Sequence, residues 1–291
     1  MHTLQNDSLC LEIADKGAEL SRVYDRKNGC ERLWSADPAV WNRHAPILFP
    51  FVGKVVDGKY RVDGREYPMK TQHGFARDLD FVCLTESADS ITQELCATEA
   101  TKAIYPYDFR LRVTHRLDQK DSRLLHIEWA VTNESESPMY YAIGGHPGFL
   151  MPPGVRKEDC FLAFPGREHL QYISADPAGF ALPDAVHALT LENGIVPYGD
   201  SLPETWIFED AQVPAVEIRR PDKTPWVTLS CEGFPLLAVW AKAEGPFICL
   251  EPWQGRTDNA GFTGEVSEKV SEQRLEAGET KRCAYSVRFH E

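Results

Sequence analysis

Phe109-Arg110-Leu111-Arg112-Val113-Thr114, then the polar turn Asp118-Gln119-Lys120-Asp121, then Leu125, Ile127, Trp129 and Val131 at every second position: this stretch decides the fold class. Side chains of an extended strand point alternately to opposite faces, so apolar residues at a spacing of two build one buried face. Two such runs joined by a short polar turn read as an antiparallel pair with its other face in solvent. Working outward, Tyr285, Val287 and Phe289 repeat the alternation. Asn28-Gly29, Asp57-Gly58 and Asp63-Gly64 are hairpin-type turn dipeptides, and Tyr60-Arg61-Val62 with Glu66-Tyr67 predicts a short hairpin around Asp63-Gly64. The 20 Gly and 20 Pro, spread throughout, suit many short strands and tight loops. Helical candidates are few: Asp184 to Leu189 and Phe262 to Val270. No repeat with a period of about 20–50 residues is visible, which argues against a propeller or solenoid. The fold class is therefore all-β. The Pro-rich stretch Met151 to Gly154 is the best place for a domain linker, but strand-like sequence continues on both sides of it. It reads as a long loop inside one large antiparallel β-sandwich spanning residues 1–291.

The chain has 291 residues, 43% hydrophobic and 26% charged, an ordinary globular composition large enough to fold without disulfides or a structural metal. Its net charge is -13, with acidic residues scattered rather than bunched. Such a surface repels phosphate backbones and anionic lipid, so nucleic-acid and membrane partners are not expected. The eight cysteines form no CxxC pair and sit mostly in apolar strand-like contexts such as Phe81-Val82-Cys83-Leu84, so reduced, buried thiols in a cytoplasmic protein are expected. Met1 to Leu11 has neither a basic segment nor an apolar one that would make a signal peptide. No run approaches the roughly 20 apolar residues that span a bilayer.

Three segments break the alternation and gather titratable groups beside Gly, Pro and aromatic residues: Gln72-His73-Gly74-Phe75-Ala76-Arg77-Asp78, Gly144-Gly145-His146-Pro147-Gly148-Phe149, and Cys249-Leu250-Glu251-Pro252-Trp253-Gln254-Gly255-Arg256-Thr257-Asp258. Each follows strand-like sequence, where a rigid sheet can aim a side chain from its end. His146 precedes a proline, which favours extended geometry, and an imidazole can give and take a proton near neutral pH. The same residue also suits a structural role, hydrogen-bonded in a turn. Glu251, between an apolar strand and Pro-Trp, is placed for desolvation that strengthens it as a base; a rim carboxylate paired with an arginine is the alternative. Trp253 can stack on a sugar face or fill the core. His73 and Arg77 can donate hydrogen bonds to a polyol or order a loop. His73, His146 and Glu251 could make a His₂Glu metal site, but HExxH and close His pairs are absent, so no metal is expected. There is no GxSxG elbow, and no P-loop or GxGxxG follows a strand.

The sequence resembles the aldose 1-epimerase (galactose mutarotase-like) superfamily, and within it the LacX-like branch. The resemblance is carried by Trp41-Asn42-Arg43-His44-Ala45-Pro46-Ile47-Leu48-Phe49-Pro50-Phe51-Val52-Gly53, by the three segments above, and by Leu275-Glu276-Ala277-Gly278-Glu279 before the final strand. It implies a β-supersandwich in one domain and a cofactor-free isomerase that opens and recloses a sugar ring, with His146 as general acid and Glu251 as general base. It implies that Arg43 and His73 hold the sugar, and that a sugar-binding carboxylate falls at Asp210. The expected partner is a small sugar, and the expected assembly a monomer or homodimer. A hexose-6-phosphate 1-epimerase-like enzyme shares the His73–Arg77 segment but departs at Phe51-Val52-Gly53 and Ile207-Phe208-Glu209-Asp210. A carbohydrate-binding protein without turnover on the same fold, and a lyase or hydrolase, are further alternatives.

Overall fold

The structure, a computed structural model, describes residues 1–199 and 205–291. Two large antiparallel sheets dominate it. The first has nine strands in the order Ile195–Pro197, Phe161–Ala163, Ala215–Arg219, Pro225–Ser230, Thr280–Phe289, Leu124–Asn133, Phe109–Leu117, Ser90–Cys96 and Val82–Glu86. The second has eight, with Phe247–Gln254 flanked by Leu236–Trp240 on one side and by Ile143–Gly145 and Gly148–Leu150 on the other. A four-stranded sheet, from His2–Gln5 to Cys30–Glu31, completes the main architecture. The all-β expectation and the sandwich reading both hold. Strands from either side of Met151–Gly154 share both large sheets.

The alternation that predicted the first pair appears directly as burial. Phe109–Leu117 is buried at every odd position and only partly so at the even ones, in register with Leu124–Asn133 through Leu111↔Val131 and Val113↔Trp129. The inner faces meet in one apolar cluster that joins Leu111, Val113, Ile127 and Val287 of the nine-stranded sheet to Trp206, Phe208, Ile248 and Leu250 of the eight-stranded one. At about 25 cal/mol per Å² of buried apolar surface, this cluster is the main driving force for folding. The predicted hairpin forms as Lys59–Val62 paired with Arg65–Pro68, and Asp63 and Gly64 both take positive φ, as a two-residue hairpin turn requires.

Some expectations need correction. Asp184 to Leu189 is not helical but lies inside the edge strand Ala181–Thr190, whose mostly exposed side chains erase the alternation that would have marked it. Within Phe262 to Val270 only the single 3₁₀ turn Val266–Glu268 forms. Asp57-Gly58 turns the chain ahead of the hairpin rather than inside one. The eight cysteines are all free thiols, but only Cys160, Cys231 and Cys249 are fully buried, and Cys96 is exposed. Among the described residues no helix is long and apolar enough to cross a membrane.

A buried charge cluster fastens the four-stranded sheet to the sandwich. Asp25, fully buried, accepts from Arg32 Nη1 at 2.8 Å and from Arg123 Nη1 at 2.8 Å. Arg32 also donates to the carbonyls of Trp226 and His290, and its guanidinium lies 3.3 Å from the centre of a Trp226 ring. Removing one member of such a group leaves the others charged and unpaired out of water, which costs about 3–5 kcal/mol. Asp25→Ala is therefore expected to lose stability on that scale in urea unfolding. A loss below about 1 kcal/mol would show that the cluster is incidental.

Candidate active site

Phe247–Gln254 is buried at all eight positions. Its even residues Ile248 and Leu250 join the sandwich core, while Glu251 and Trp253 line a cavity of about 700 Å³ on the opposite face. That volume lies within the range of small-ligand sites. The neighbouring strand Ile143–Gly145 pairs with it through Gly144↔Trp253, and a Cβ on Gly144 would come within 2.6 Å of the Trp253 ring. Glycine is thus needed there to let the two strands carry Trp253 between them. The chain then turns at His146, whose backbone N–H bonds to Pro46 O at 3.1 Å and whose ring enters the cavity.

The His73 segment docks on the segment around Phe49. Phe75 and Ala76 donate backbone hydrogen bonds to Phe49 O, and a Cβ on Gly74 would meet that oxygen at 2.2 Å. Gly53 N–H donates to His73 Nδ1 at 3.0 Å. A neutral imidazole that accepts at Nδ1 carries its proton on Nε2; the Gln72 amide, placed with its nitrogen 2.8 Å away, meets that proton with its oxygen once its two terminal atoms are exchanged. Burial first, then the nearby charges of His146, Arg77, Lys54 and Arg43, hold the His73 pKa well below its ordinary value. His73 is therefore a neutral ring fixed at both nitrogens.

His146 Nε2 lies 3.4 Å from Glu251 Oε2. Neither Glu251 Oε2 nor His146 Nδ1 has a hydrogen-bond partner among the described residues, so the pair is close without being locked to itself. Trp41 packs on the His146 ring at 4.9 Å between centroids, Trp240 meets it edge-on at 5.3 Å, and His73 at 5.5 Å. Burial in this aromatic setting, reinforced by the charge of Arg77 and opposed by a backbone hydrogen bond, pushes His146 down to about 3. Burial likewise holds Glu251 well above the usual carboxylate range, against an opposing contact with the Trp253 indole. Both groups favour their neutral forms, and together they hold one transferable proton.

The structure thus brings His73, His146 and Glu251 to one cavity. It does not bring Arg43 or Asp210 there. Arg43 stands behind the rim, donating from Nη2 to Asp78 at 2.6 Å and from Nη1 to Arg77 O at 3.4 Å, so it braces the Arg77 segment and does not line the cavity. Asp210 is exposed on a turn at positive φ, outside the cavity; beside it Glu209 accepts from the buried Arg256 at 2.8 Å. The cavity carboxylate that sequence reasoning missed is Asp176. Its sequence signal, Asp176-Pro177-Ala178-Gly179, marks only a turn, and its Oδ1 accepts from Phe180 N–H at 2.9 Å. Trp41, Trp240, Lys54 and Lys242 also line the cavity. The Lys242 loop is held by the buried Lys157, whose Nζ donates to the carbonyls of Lys242, Ala243 and Gly245 at 2.6, 2.6 and 2.7 Å. Trp253 both packs in the core over Gly144 and borders the cavity.

The sequence model of the aldose 1-epimerase family matches residues 1–180. The chain belongs to that family. Protein LacX of Lactococcus lactis subsp. lactis, the plasmid form, is 29% identical to this epimerase-family chain over 295 residues, covering 98% of the chain and 97% of LacX. The crystal structure of a galactose mutarotase related enzyme from Lactobacillus acidophilus is 29% identical with a TM-score of 0.92, covering 100% of this chain and 97% of that one. A galactose mutarotase-like protein from Lactobacillus casei is 30% identical with a TM-score of 0.90, each chain covered in full at 100%.

The neutral carboxyl has a consequence for stability. Its folded pKa stands above the unfolded value of about 4.3, so the unfolded state loses the proton first as pH rises. Glu251 therefore contributes stability below that value and forfeits it as pH climbs through the folded pKa. Glu251→Gln removes this dependence. In urea unfolding the variant should gain on the wild type between about pH 5 and about pH 8. A difference that shrinks over that interval would contradict a buried neutral carboxyl.

Proposed function

We propose that this protein is an aldose 1-epimerase that interconverts the α and β anomers of a free hexose, using the proton pair His146 and Glu251. The observation that carries the reading is the 3.4 Å approach of His146 Nε2 to Glu251 Oε2 on the wall of the cavity, with neither group committed to another partner there. Hydrogen bonds from the sugar hydroxyls lower the cost of ionising Glu251, so the shared proton moves to His146 on binding. Glu251 then takes the proton of the anomeric hydroxyl. The C1–O5 bond breaks, its electron pair goes to the ring oxygen, and His146 protonates that oxygen. The open-chain aldehyde turns about C1–C2, and closure on its other face returns both protons. One acid and one base restored in each cycle need no external co-reactant. Asp176 supplies an acceptor for the hydroxyls that orient the ring, and His73 a fixed neutral wall beside them.

A second reading, in which the sugar carries a phosphate, is favoured by one observation. In a chain of net charge -13, Lys54, Arg77 and Lys242 all line the cavity, and Arg77 Nε is buried without a hydrogen-bond partner. Cationic side chains gathered at one cavity suit a phosphate group.

Anomer exchange followed by NMR or polarimetry tests both readings. The wild type should accelerate equilibration of one or more free hexoses, and His146→Gln and Glu251→Gln should each lose about 10²–10⁴ in rate. Acceleration confined to hexose 6-phosphates would replace the first reading with the second. Tight sugar binding with every rate left at its spontaneous value would make the protein a binder instead.

A further inference from the structure

Cys249 lies two residues before Glu251 on the same strand and therefore on the same face. It is fully buried, packed with Trp34 and Phe247 beneath Trp41 and Trp240, and has no part in the ring-opening chemistry above. Its sulfur, a ring nitrogen of His146 and a carboxylate oxygen of Glu251 all lie within 4.8 Å of one another. We propose that His146, Cys249 and Glu251 form a binding site for a borderline-soft divalent cation of the zinc class, and that its occupancy blocks the sugar reaction.

Zinc bonds of about 2.0–2.3 Å at tetrahedral angles separate neighbouring donor atoms by about 3.3–3.8 Å. The His146 Nε2–Glu251 Oε2 distance of 3.4 Å already falls in that range. The sulfur needs at most about 1 Å of movement, within reach of a side-chain torsion. Of these donors, Glu251 Oε2 is a buried polar atom without a hydrogen-bond partner. A mixed nitrogen, sulfur and oxygen set selects zinc-like cations over magnesium or calcium, which take oxygen alone. Three protein ligands leave the fourth position open toward the cavity.

The balance is simple. The metal takes the lone pair of neutral His146, a carboxylate oxygen of Glu251 and the thiolate of Cys249, and it releases the thiol proton and the carboxyl proton to solvent. Those are the lone pairs that the proposed isomerase needs, so the inhibitory half of the proposal rests on that reading, whereas metal binding does not. His146 and Glu251 border the sugar cavity while Cys249 lies buried behind them, so the cation enters through the cavity and competes with the sugar. A second cluster, His2, Cys83 and Glu86, is a weaker candidate because both ring nitrogens of His2 are already engaged, at 2.8 Å each, by Glu86 and Asp15.

The full chain, freed of metal, is titrated with Co²⁺ and read in the near-ultraviolet for a thiolate-to-cobalt band. One band per chain is expected, lost in Cys249→Ser and in His146→Gln, kept in Cys83→Ser, and displaced by Zn²⁺. Circular dichroism of each variant separates loss of the site from loss of the fold, and Cys249→Ala stands in if the serine variant is unfolded. Zinc should inhibit anomer exchange competitively with sugar and reversibly with a chelator. Relative to each protein's own metal-free rate, that inhibition should weaken about tenfold or more in the Cys249 variant. Absence of the band, or a band lost in Cys83→Ser and kept in Cys249→Ser, overturns the metal site. A band in a protein that accelerates no sugar keeps the site and overturns the isomerase reading; acceleration with no band does the reverse.

Discussion

Burial of Phe247–Gln254 on both faces is the constraint on which the site depends. A strand in such a place is ordinarily a run of branched apolar residues, because a carboxyl there costs several kcal/mol unless it is neutral or paired. This strand keeps Glu251 and holds it neutral beside an imidazole that burial also keeps neutral. Stability and chemistry thus draw on the same fact. In the proposed reaction, the dry setting that makes the two groups costly also favours passing a proton over holding a charge.

The rest of the cavity exists to hold that setting. Gly144 lets the next strand close in over Trp253, and the Phe49 carbonyl gathers the His73 segment through two backbone hydrogen bonds. Thr257 Oγ1 donates to Gly179 O at 2.9 Å and Lys54 Nζ to Ala178 O at 2.7 Å, which fixes the loop that presents Asp176. Lys157 does the same for the loop of Lys242 with three carbonyl contacts. Backbone carbonyls, not side chains, are the usual anchor points, so the walls tolerate sequence change while keeping their shape.

How much of this was legible in the sequence depended on whether a signal was local. The pair Phe109–Leu117 and Leu124–Asn133 announced itself because one face is buried along its whole length. Ala181–Thr190 did not, since an edge strand with little burial has no period to read. Of the site, His73, His146 and Glu251 stood out as titratable groups in Gly- and Pro-marked turns. Lys157 carried no such mark and Asp176 only that of an ordinary turn, because what makes each matter is a partner far along the chain. Asp210 was the opposite case: the family resemblance suggested a role, but the residue lies exposed on a turn and does not line the cavity.

The order of strands in the nine-stranded sheet bears on how the molecule comes into being. Thr280–Phe289 lies in the interior of that sheet, between Pro225–Ser230 and Leu124–Asn133, although it follows every other described strand in sequence. Until it pairs, the sheet is two half-sheets with open, hydrogen-bonding edges, and Arg32 lacks the Trp226 and His290 carbonyls in their final place. Non-local pairing of this kind closes slowly and exposes sticky edges meanwhile. The sheet is thus complete only when this strand inserts between its two neighbours, and the half-sheets that precede insertion are the stage at which the chain is most open to edge-to-edge association.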